Sequence, residues 1–253
     1  MTMVAGVDGC RGGWVAAISD GDVTPDIRVF RRFSQIIEAV PGDTVIAVDM
    51  PIGLPAHCGA GGRGPEKLVR PLLGMRQSSV FSIPSRSAVY GSVQVSAADD
   101  DGWLAAHKKA SAIARETSNP PRGVSIQAFG LFAKIRELDT LLRENTLLRE
   151  RVFESHPELC FWRLNGQAPL SEPKKVKNKV FEPGLAERRR LLLASGLAET
   201  AVNSAPPVGA APDDVLDALA VLSAACNRLA GKAVVFPDPP LRDGFGLPIA
   251  IAC

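Results

Sequence analysis

One segment constrains the fold more than any other: residues 215–226, VLDALAVLSAAC, whose only charged residue is Asp217. Apolar residues on all sides of a helix are typical of a helix that is buried in the protein interior. A carboxylate inside a buried helix costs free energy unless it is paired with a positive group or bound to a cation. The segment therefore predicts a central buried helix with a functional carboxylate at Asp217.

Two further carboxylates lie at the start of the same helix. Asp214 lies three residues before Asp217 on the same side of the helix, so the two negative charges repel unless something positive lies between them. Asp213 and Asp214 also suit a helix N-terminus, where the helix dipole favours negative charge. This second interpretation stays open for both residues, but it does not account for Asp217, which lies a turn further along.

Three short apolar runs each end in an acidic residue. Residues 3–7 lead into Asp8, and residues 45–48 lead into Asp49. The run RVFE ends in Glu154. Continuous apolar runs are typical of strands covered on both faces, and ligands of open α/β sheets bind at the carboxyl ends of strands. These acids are therefore candidate functional groups, with the alternative that Asp8 and Asp49 are only turn residues.

The remaining pattern predicts helices between loops, and with them a single α/β domain. Residues 97–117 and 126–150 are predicted to be helices, the second because its apolar residues recur at helical spacing. A shorter helix is expected after Ser34 as its N-cap. Ser155 is expected to cap another helix, with Glu158 completing a capping box.

Composition narrows the chemistry open to these carboxylates. The chain has 253 residues, 29 Lys+Arg, 27 Asp+Glu and a net charge of +2, so charge alone does not predict nucleic-acid binding. The five cysteines lie far apart without a C-x-x-C pair, which argues against a disulfide framework and a zinc site. Carboxylates without a cysteine or histidine cluster favour oxygen-binding cations, so we expect Mg²⁺ or Mn²⁺ and phosphoryl chemistry.

The sequence predicts a cytoplasmic protein with no membrane partner. The first residues, MTMVAGVDGC, lack the basic and apolar regions of a signal peptide. No run of about 18 apolar residues occurs, so no membrane span is expected. The oligomeric state stays open.

Five segments together resemble the family of predicted nucleases with an RNase H-like fold. They are GVDGCRGGWV, VDMPIGLP, LGMRQSSVFSIPSR, FESHPE and DDVLDALAVLSAA, which follow the family's order from residue 6 to about residue 228. The last segment is also similar to the final helix of RuvC-type resolvases. The resemblance implies a mixed central sheet flanked by helices, whose first three strands form an antiparallel meander. It implies one RNase H-like domain over residues 1–253, with loop-rich insertions near 56–125 and 165–212.

The resemblance also implies roles for individual residues. Asp8 matches the catalytic aspartate of the first strand, and Asp49 matches the acidic residue that ends the fourth strand. Asp214 and Asp217 match the acids of the last helix. Glu154 has no counterpart in the best-known members and is a catalytic candidate because it ends an apolar run. All five are candidate catalytic residues, and the expected metal ligands are Asp8, Asp49 and Asp217.

Basic residues are candidate contacts to a phosphate-bearing substrate. Lys174, Lys175 and Lys177 form a concentrated basic loop. Such a loop either holds a phosphate backbone beside the acidic residues or is a solvated face. Arg76 and Arg86, around the segment SSVFSIPSR, are further substrate-binding candidates.

The predicted function is hydrolysis of phosphodiester bonds in nucleic acid at a carboxylate-held divalent metal. Two alternatives remain open. The segment GVDGCRGG also resembles the phosphate-binding turn of actin-like ATPases and sugar kinases, which predicts a nucleotide or small phosphate-ester hydrolase or a kinase-like protein. The chain has no G-x-x-x-x-G-K-[ST] loop and no G-x-G-x-x-G motif. The other alternative is a non-catalytic nucleic-acid-binding domain.

Overall fold

The apolar runs at the start of the chain form neighbouring strands of one sheet in the computed structural model, which describes residues 2–92, 100–177 and 179–253. The strands of this sheet are β1 (Val4–Cys10), β2 (Gly13–Ser19), β3 (Asp26–Phe30), β4 (Val45–Val48) and β5 (Val152–Glu154). Their order across the sheet is β3-β2-β1-β4-β5. Strands β1, β2 and β3 form the expected antiparallel meander, and β4 lies parallel to β1 and to β5.

Helices cover both faces of the sheet, which confirms an α/β domain with a mixed central sheet. In chain order they are α1 (Phe33–Ala39), α2 (Pro65–Val69), α3 (Arg86–Tyr90), α4 (Asp100–Glu116), α5 (Ile126–Gly130), α6 (Phe132–Glu144), α7 (Thr146–Arg151), α8 (Pro157–Leu164), α9 (Glu182–Ala194), α10 (Glu199–Val202) and α11 (Pro212–Leu229). A 3₁₀ helix spans Arg70–Ser79. Two small hairpins complete the chain: β6 (Lys175–Val176) with β7 (Lys179–Val180), and β8 (Val235–Arg242) with β9 (Pro248–Ala252).

Helix α11 is the buried central helix that its sequence predicts. Its residues from Val215 to Leu222 are all buried, and it packs across β1, β2 and β4. Gly6 allows this close approach, because a Cβ at this position would lie 2.1 Å from the Leu222 nitrogen and 2.2 Å from the Ala218 oxygen. The backbones of β1 and α11 are thus in direct contact.

The opposite face of the sheet packs against α1 and α6. The indole of Trp14 is fully buried there and lies edge-on to Phe33, with ring centroids 5.2 Å apart. Glu137 of α6 joins the two elements: it accepts a hydrogen bond from the Trp14 indole N–H at 3.1 Å and another from the Phe33 N–H at 2.6 Å. This packing fixes α6 over the carboxyl end of β1.

The expectation of one continuous helix over residues 126–150 is wrong. Three helices occupy this range, with breaks at Leu131 and Asn145. The Asn145 side chain accepts the N–H groups of Leu147 and Leu148, so it ends one helix and caps the next. Regular apolar spacing continues across such a break and does not reveal it.

Two predicted caps are also wrong. Helix α1 begins at Phe33, and Gln35 instead of Ser34 satisfies the free N–H groups before it. At α8 the N-cap is His156, whose Nδ1 accepts the Glu158 N–H. The Ser155 hydroxyl donates instead to the carbonyl of Ala252 at 2.8 Å. Ser155 therefore bonds to the end of β9 and does not cap α8.

The helix predicted over residues 97–117 is present as α4, and residues 97–99 lie outside the described residues. Within the described ranges, no helix combines the length and apolar character that crossing a bilayer needs. The insertions predicted near 56–125 and 165–212 stay a prediction.

Replacing Gly6 tests the contact between β1 and α11. We expect Gly6→Ala to lower the free energy of unfolding by about 3 kcal/mol, because the methyl group meets backbone atoms that have no room to move. Urea denaturation followed by circular dichroism measures the change. Gly42→Ala is the matched control, since its Cβ would meet nothing within 4 Å. Equal stability of the two variants would contradict this close packing.

Candidate active site

Two neighbouring parallel strands bring Asp8 and Asp49 together. Val7 of β1 lies opposite Val48 of β4, and the Asp49 N–H donates to the Val7 carbonyl at 2.8 Å. The two acids are therefore adjacent where the parallel pairing of β1 and β4 ends. The Asp8 carboxylate accepts the N–H of Gly9 at 2.7 Å.

Helix α11 brings a third acid to the same place. Asp217 lies on the part of the helix that packs against the sheet and is only 4% exposed. The negative charges of Asp49 and Asp217 both act on Asp8. The three residues expected to bind a cation thus lie within range of one another's charges.

Burial and mutual repulsion make these carboxyl groups difficult to ionise. Burial, followed by the charges of Asp49 and Asp217, raises the pKa of Asp8 well above its ordinary value. Burial also raises the pKa of Asp49 and that of Asp217 to about 6 each, although Lys174 acts to lower both. Any additional positive charge among these groups favours their ionised form.

Lys174 supplies positive charge beside Asp217. It immediately precedes the β6–β7 hairpin, and its ammonium group forms an ion pair with Asp217 Oδ2. Burial acts to lower the pKa of Lys174, but the charges of Asp217 and Glu158 raise it overall. Lys175 forms a second ion pair, with Asp213 at 2.7 Å. Two residues predicted to bind substrate are thus paired with carboxylates of α11 in this structure.

Asp214 has both of the roles considered for it. Its Oδ2 accepts the N–H of Ala211 at 2.8 Å, which satisfies a free backbone donor at the start of α11. Its charge is also among those that raise the pKa of Asp8. Asp214 therefore caps the helix and adds negative charge near the three central carboxylates.

Glu154 lies in a buried ion-pair cluster with Arg63 and Glu66. The Arg63 guanidinium donates to both Glu154 oxygens, at 2.6 and 2.9 Å, and to Glu66 Oε1 at 2.7 Å. The Ile52 N–H donates to Glu154 Oε2 at 2.7 Å. Burial raises the pKa of Glu154 to about 7 even though Arg63 acts to lower it. Arg63 thus holds Glu154 in place. Because the two residues lie 91 positions apart in the chain, the sequence alone does not indicate that they pair.

Of the other basic candidates, Arg86 is bound to two carboxylates. Its guanidinium lies 2.6 Å from Asp139 Oδ2 and 2.7 Å from Asp243 Oδ2. Arg76 is half-buried in the 3₁₀ helix, and Lys177 is exposed in the turn of the β6–β7 hairpin. A substrate-binding role for Arg86 stays a prediction, and in this structure its charge is balanced by these two acids.

A cavity of about 330 Å³ lies beside the strand ends. Asp8, Asp49 and Glu154 line it on the sheet side, and Lys134 of α6 lines it as well. No sequence pattern indicates a role for Lys134, because the helical spacing identifies only apolar residues such as its buried neighbour Ile135. Packing of α6 on β1 is what brings this lysine to the acidic edge.

The donor set fits a hard divalent cation in its chemistry. Asp8, Asp49 and Asp217 offer carboxylate oxygens, the ligands that Mg²⁺ and Mn²⁺ prefer. Asp217 Oδ1 is buried and has no hydrogen-bond partner among the described residues. Those residues contain no group of three or more acidic, histidine or cysteine side chains already arranged to hold a metal ion. Binding would thus require Lys174 to leave Asp217 and the carboxylates to move together.

The chain belongs to the family described as Protein of unknown function (DUF429), whose model matches residues 6–242. This range includes the strand-end acids, the β6–β7 hairpin and all of α11. No curated protein and no solved structure gives a match to the chain.

Neutralising Asp8 tests the repulsion among the carboxylates. In the folded protein these groups keep protons at pH values where the unfolded chain has lost them, so stability falls as pH rises from about 4 to about 6. We expect Asp8→Asn to raise the free energy of unfolding by about 1–3 kcal/mol at neutral pH, with little effect near pH 4. Urea denaturation in EDTA at both pH values measures this difference. The exposed Asp22→Asn is the control, and destabilisation by Asp8→Asn at neutral pH would contradict the account.

Removing Arg63 tests the buried cluster. We expect Arg63→Met to lower the free energy of unfolding by about 3–5 kcal/mol, because it leaves two buried carboxylates without their partner. The control is Arg28→Met, which breaks an exposed ion pair with Asp26 and is expected to cost at most about 1 kcal/mol. Similar midpoints of urea denaturation for both variants would count against a cluster held together by Arg63.

Proposed function

We propose that this protein is a divalent-metal-dependent nuclease with an RNase H-like fold, which hydrolyses phosphodiester bonds in nucleic acid. The observation that supports this most directly is the convergence of Asp8, Asp49 and Asp217 from two parallel strand ends and one buried helix. The antiparallel meander followed by parallel strands also agrees with the arrangement that the sequence resemblance implies.

Asp8, Asp49 and Asp217 would hold the cation. When bound, Mg²⁺ or Mn²⁺ would polarise the scissile phosphoryl group and make an attacking water more acidic. The carboxylates provide the negative charge that attracts the ion into a buried site, and Asp214 adds to that charge.

The chain's own residues also prepare the site for a phosphate. Lys174 balances the charge of Asp217 in the metal-free protein, so three acids can be buried together without unfolding α11. With a cation bound at Asp217, the ammonium group of Lys174 would be released and could then pair with a substrate phosphate. Glu154, fixed by Arg63 at the end of β5, keeps the neighbouring strand end in place.

A cleavage assay tests the proposal. Labelled DNA, RNA, DNA–RNA hybrid and junction substrates are incubated with Mg²⁺ or Mn²⁺ and the protein. We expect cleavage that EDTA abolishes and that Asp8→Asn or Asp217→Asn lowers by at least about 100-fold, since even residues that only support metal ligands contribute about 10–100-fold. Asp22→Asn is the matched control and should cleave at the normal rate.

Three results of this assay, run together with measurements of ATP hydrolysis and nucleic-acid binding, would contradict the proposal. Cleavage that survives both Asp8→Asn and Asp217→Asn would remove the carboxylate site. Hydrolysis of ATP without cleavage of any nucleic acid would favour an enzyme related to the actin-like ATPases. Tight binding of nucleic acid with no turnover would favour a non-catalytic binding domain.

A further inference from the structure

We infer that the cavity beside Asp8 and Asp49 admits one nucleotide unit, with its base against the apolar wall and its phosphate between Lys134 and the carboxylates. The inference rests on the proposed function and specifies its substrate class: a nucleotide that is free or at an unpaired end of a strand. An intact duplex is excluded.

The size of the cavity supports this assignment. Its volume of about 330 Å³ lies at the lower end of the range of about 300–1,000 Å³ for small-molecule sites. Enzymes that act on one base of a nucleic acid enclose that base in a pocket of this kind, after it has left the stack. A continuous duplex presents its phosphates along a surface and has no single unit that enters such a cavity unless base pairing is lost.

One part of the cavity wall is apolar and suits a base. Its apolar part is formed by Met50, Val80, Phe81, Ile83, Leu131 and Ile251. Phe81 is half-buried and so offers part of its ring to the cavity. Aromatic and apolar side chains bind the faces of unpaired bases by stacking, whereas phosphates need charged or hydrogen-bonding partners.

Lys134 is suited to hold the phosphate. Its side chain lies across Gly9, because a Cβ on that glycine would come within 2.9 Å of the lysine Cδ and Cε. Its ammonium group lies 5.3 Å from the centre of the Trp14 ring, and no carboxylate among the described residues is within ion-pair distance. This cation at the cavity is therefore available to an anionic ligand next to Asp8.

Three of the five basic residues predicted to bind substrate are already paired, which leaves only Arg76 and Lys177 of that set for the phosphates of a duplex. Lys174 and Lys175 pair with carboxylates of α11, and Arg86 pairs with two further acids. Proteins that bind duplex DNA commonly neutralise about 6–10 phosphates with free Lys and Arg side chains. A single phosphate needs only one such group, and Lys134 supplies it.

Binding measurements test the inference directly. Adenosine 5′-monophosphate, a 5′-phosphorylated oligothymidylate and a closed dumbbell duplex without ends are titrated into the protein, with Mg²⁺ and again with EDTA. We expect the first two probes to bind and the dumbbell neither to bind in the cavity nor to be cleaved. Whichever of the two binds more tightly identifies the source of the nucleotide unit, and either result supports the inference.

Two variants locate the binding. Leu131→Trp fills the cavity, and Lys134→Met removes its cation; each is expected to weaken binding of both probes by about tenfold or more. Lys134→Arg should restore most of the affinity, and the exposed Lys108→Met should leave it unchanged. Thermal denaturation of each variant checks that it folds. Because Lys134 is half-buried, Lys134→Met tests the site even if Leu131→Trp does not fold.

The outcomes separate this inference from the proposed function. Nucleotide affinity that is unchanged in both Leu131→Trp and Lys134→Met would overturn the inference. Cleavage of the dumbbell at equal rates by the wild-type protein and Leu131→Trp would also overturn it, while the nuclease assignment would stand. Nucleotide binding that both variants weaken, in a protein that cleaves no nucleic acid, would support the cavity assignment and overturn the nuclease.

Discussion

The contact between helix α11 and strand β1 is the constraint on which the rest of the structure depends. Gly6 removes the side chain that would otherwise separate the two backbones, and α11 therefore lies directly on the sheet. This proximity provides a buried apolar face for the helix and also fixes Asp217 near Asp8. The same packing that stabilises the fold thus concentrates negative charge in its interior.

The buried negative charges explain the positions of two basic residues, Lys174 and Arg63. Lys174 pairs with Asp217, and Arg63 binds Glu154 and Glu66. These three ion pairs compensate carboxylates that would be too costly to bury alone. The near-neutral net charge of +2 therefore includes internal pairs of opposite charge beside the strand ends. A divalent cation fits this scheme as a replacement for the charge that Lys174 now supplies.

Features that depend on a local sequence pattern could be predicted from the sequence. Continuous apolar runs predicted β1 and β4, and the nearly uncharged segment predicted the burial of α11. Asp49 directly follows β4 as expected, whereas β1 continues two residues beyond Asp8 to Cys10. Features that depend on tertiary contacts were not predictable. The partner of Glu154 is distant in the chain, Ser155 bonds to Ala252, and the break at Asn145 follows from a side-chain hydrogen bond that leaves the apolar spacing intact.

Calorimetric titration with Mn²⁺ is the most direct test that these carboxylates form a cation site. We predict saturable binding to the wild-type protein at neutral pH, which weakens as the pH falls below about 6 because the carboxyl groups take up protons. Asp217→Asn should abolish this binding, whereas Asp22→Asn should leave it unchanged. Absence of saturable binding to the folded wild-type protein, or equal binding by Asp217→Asn, would contradict the account.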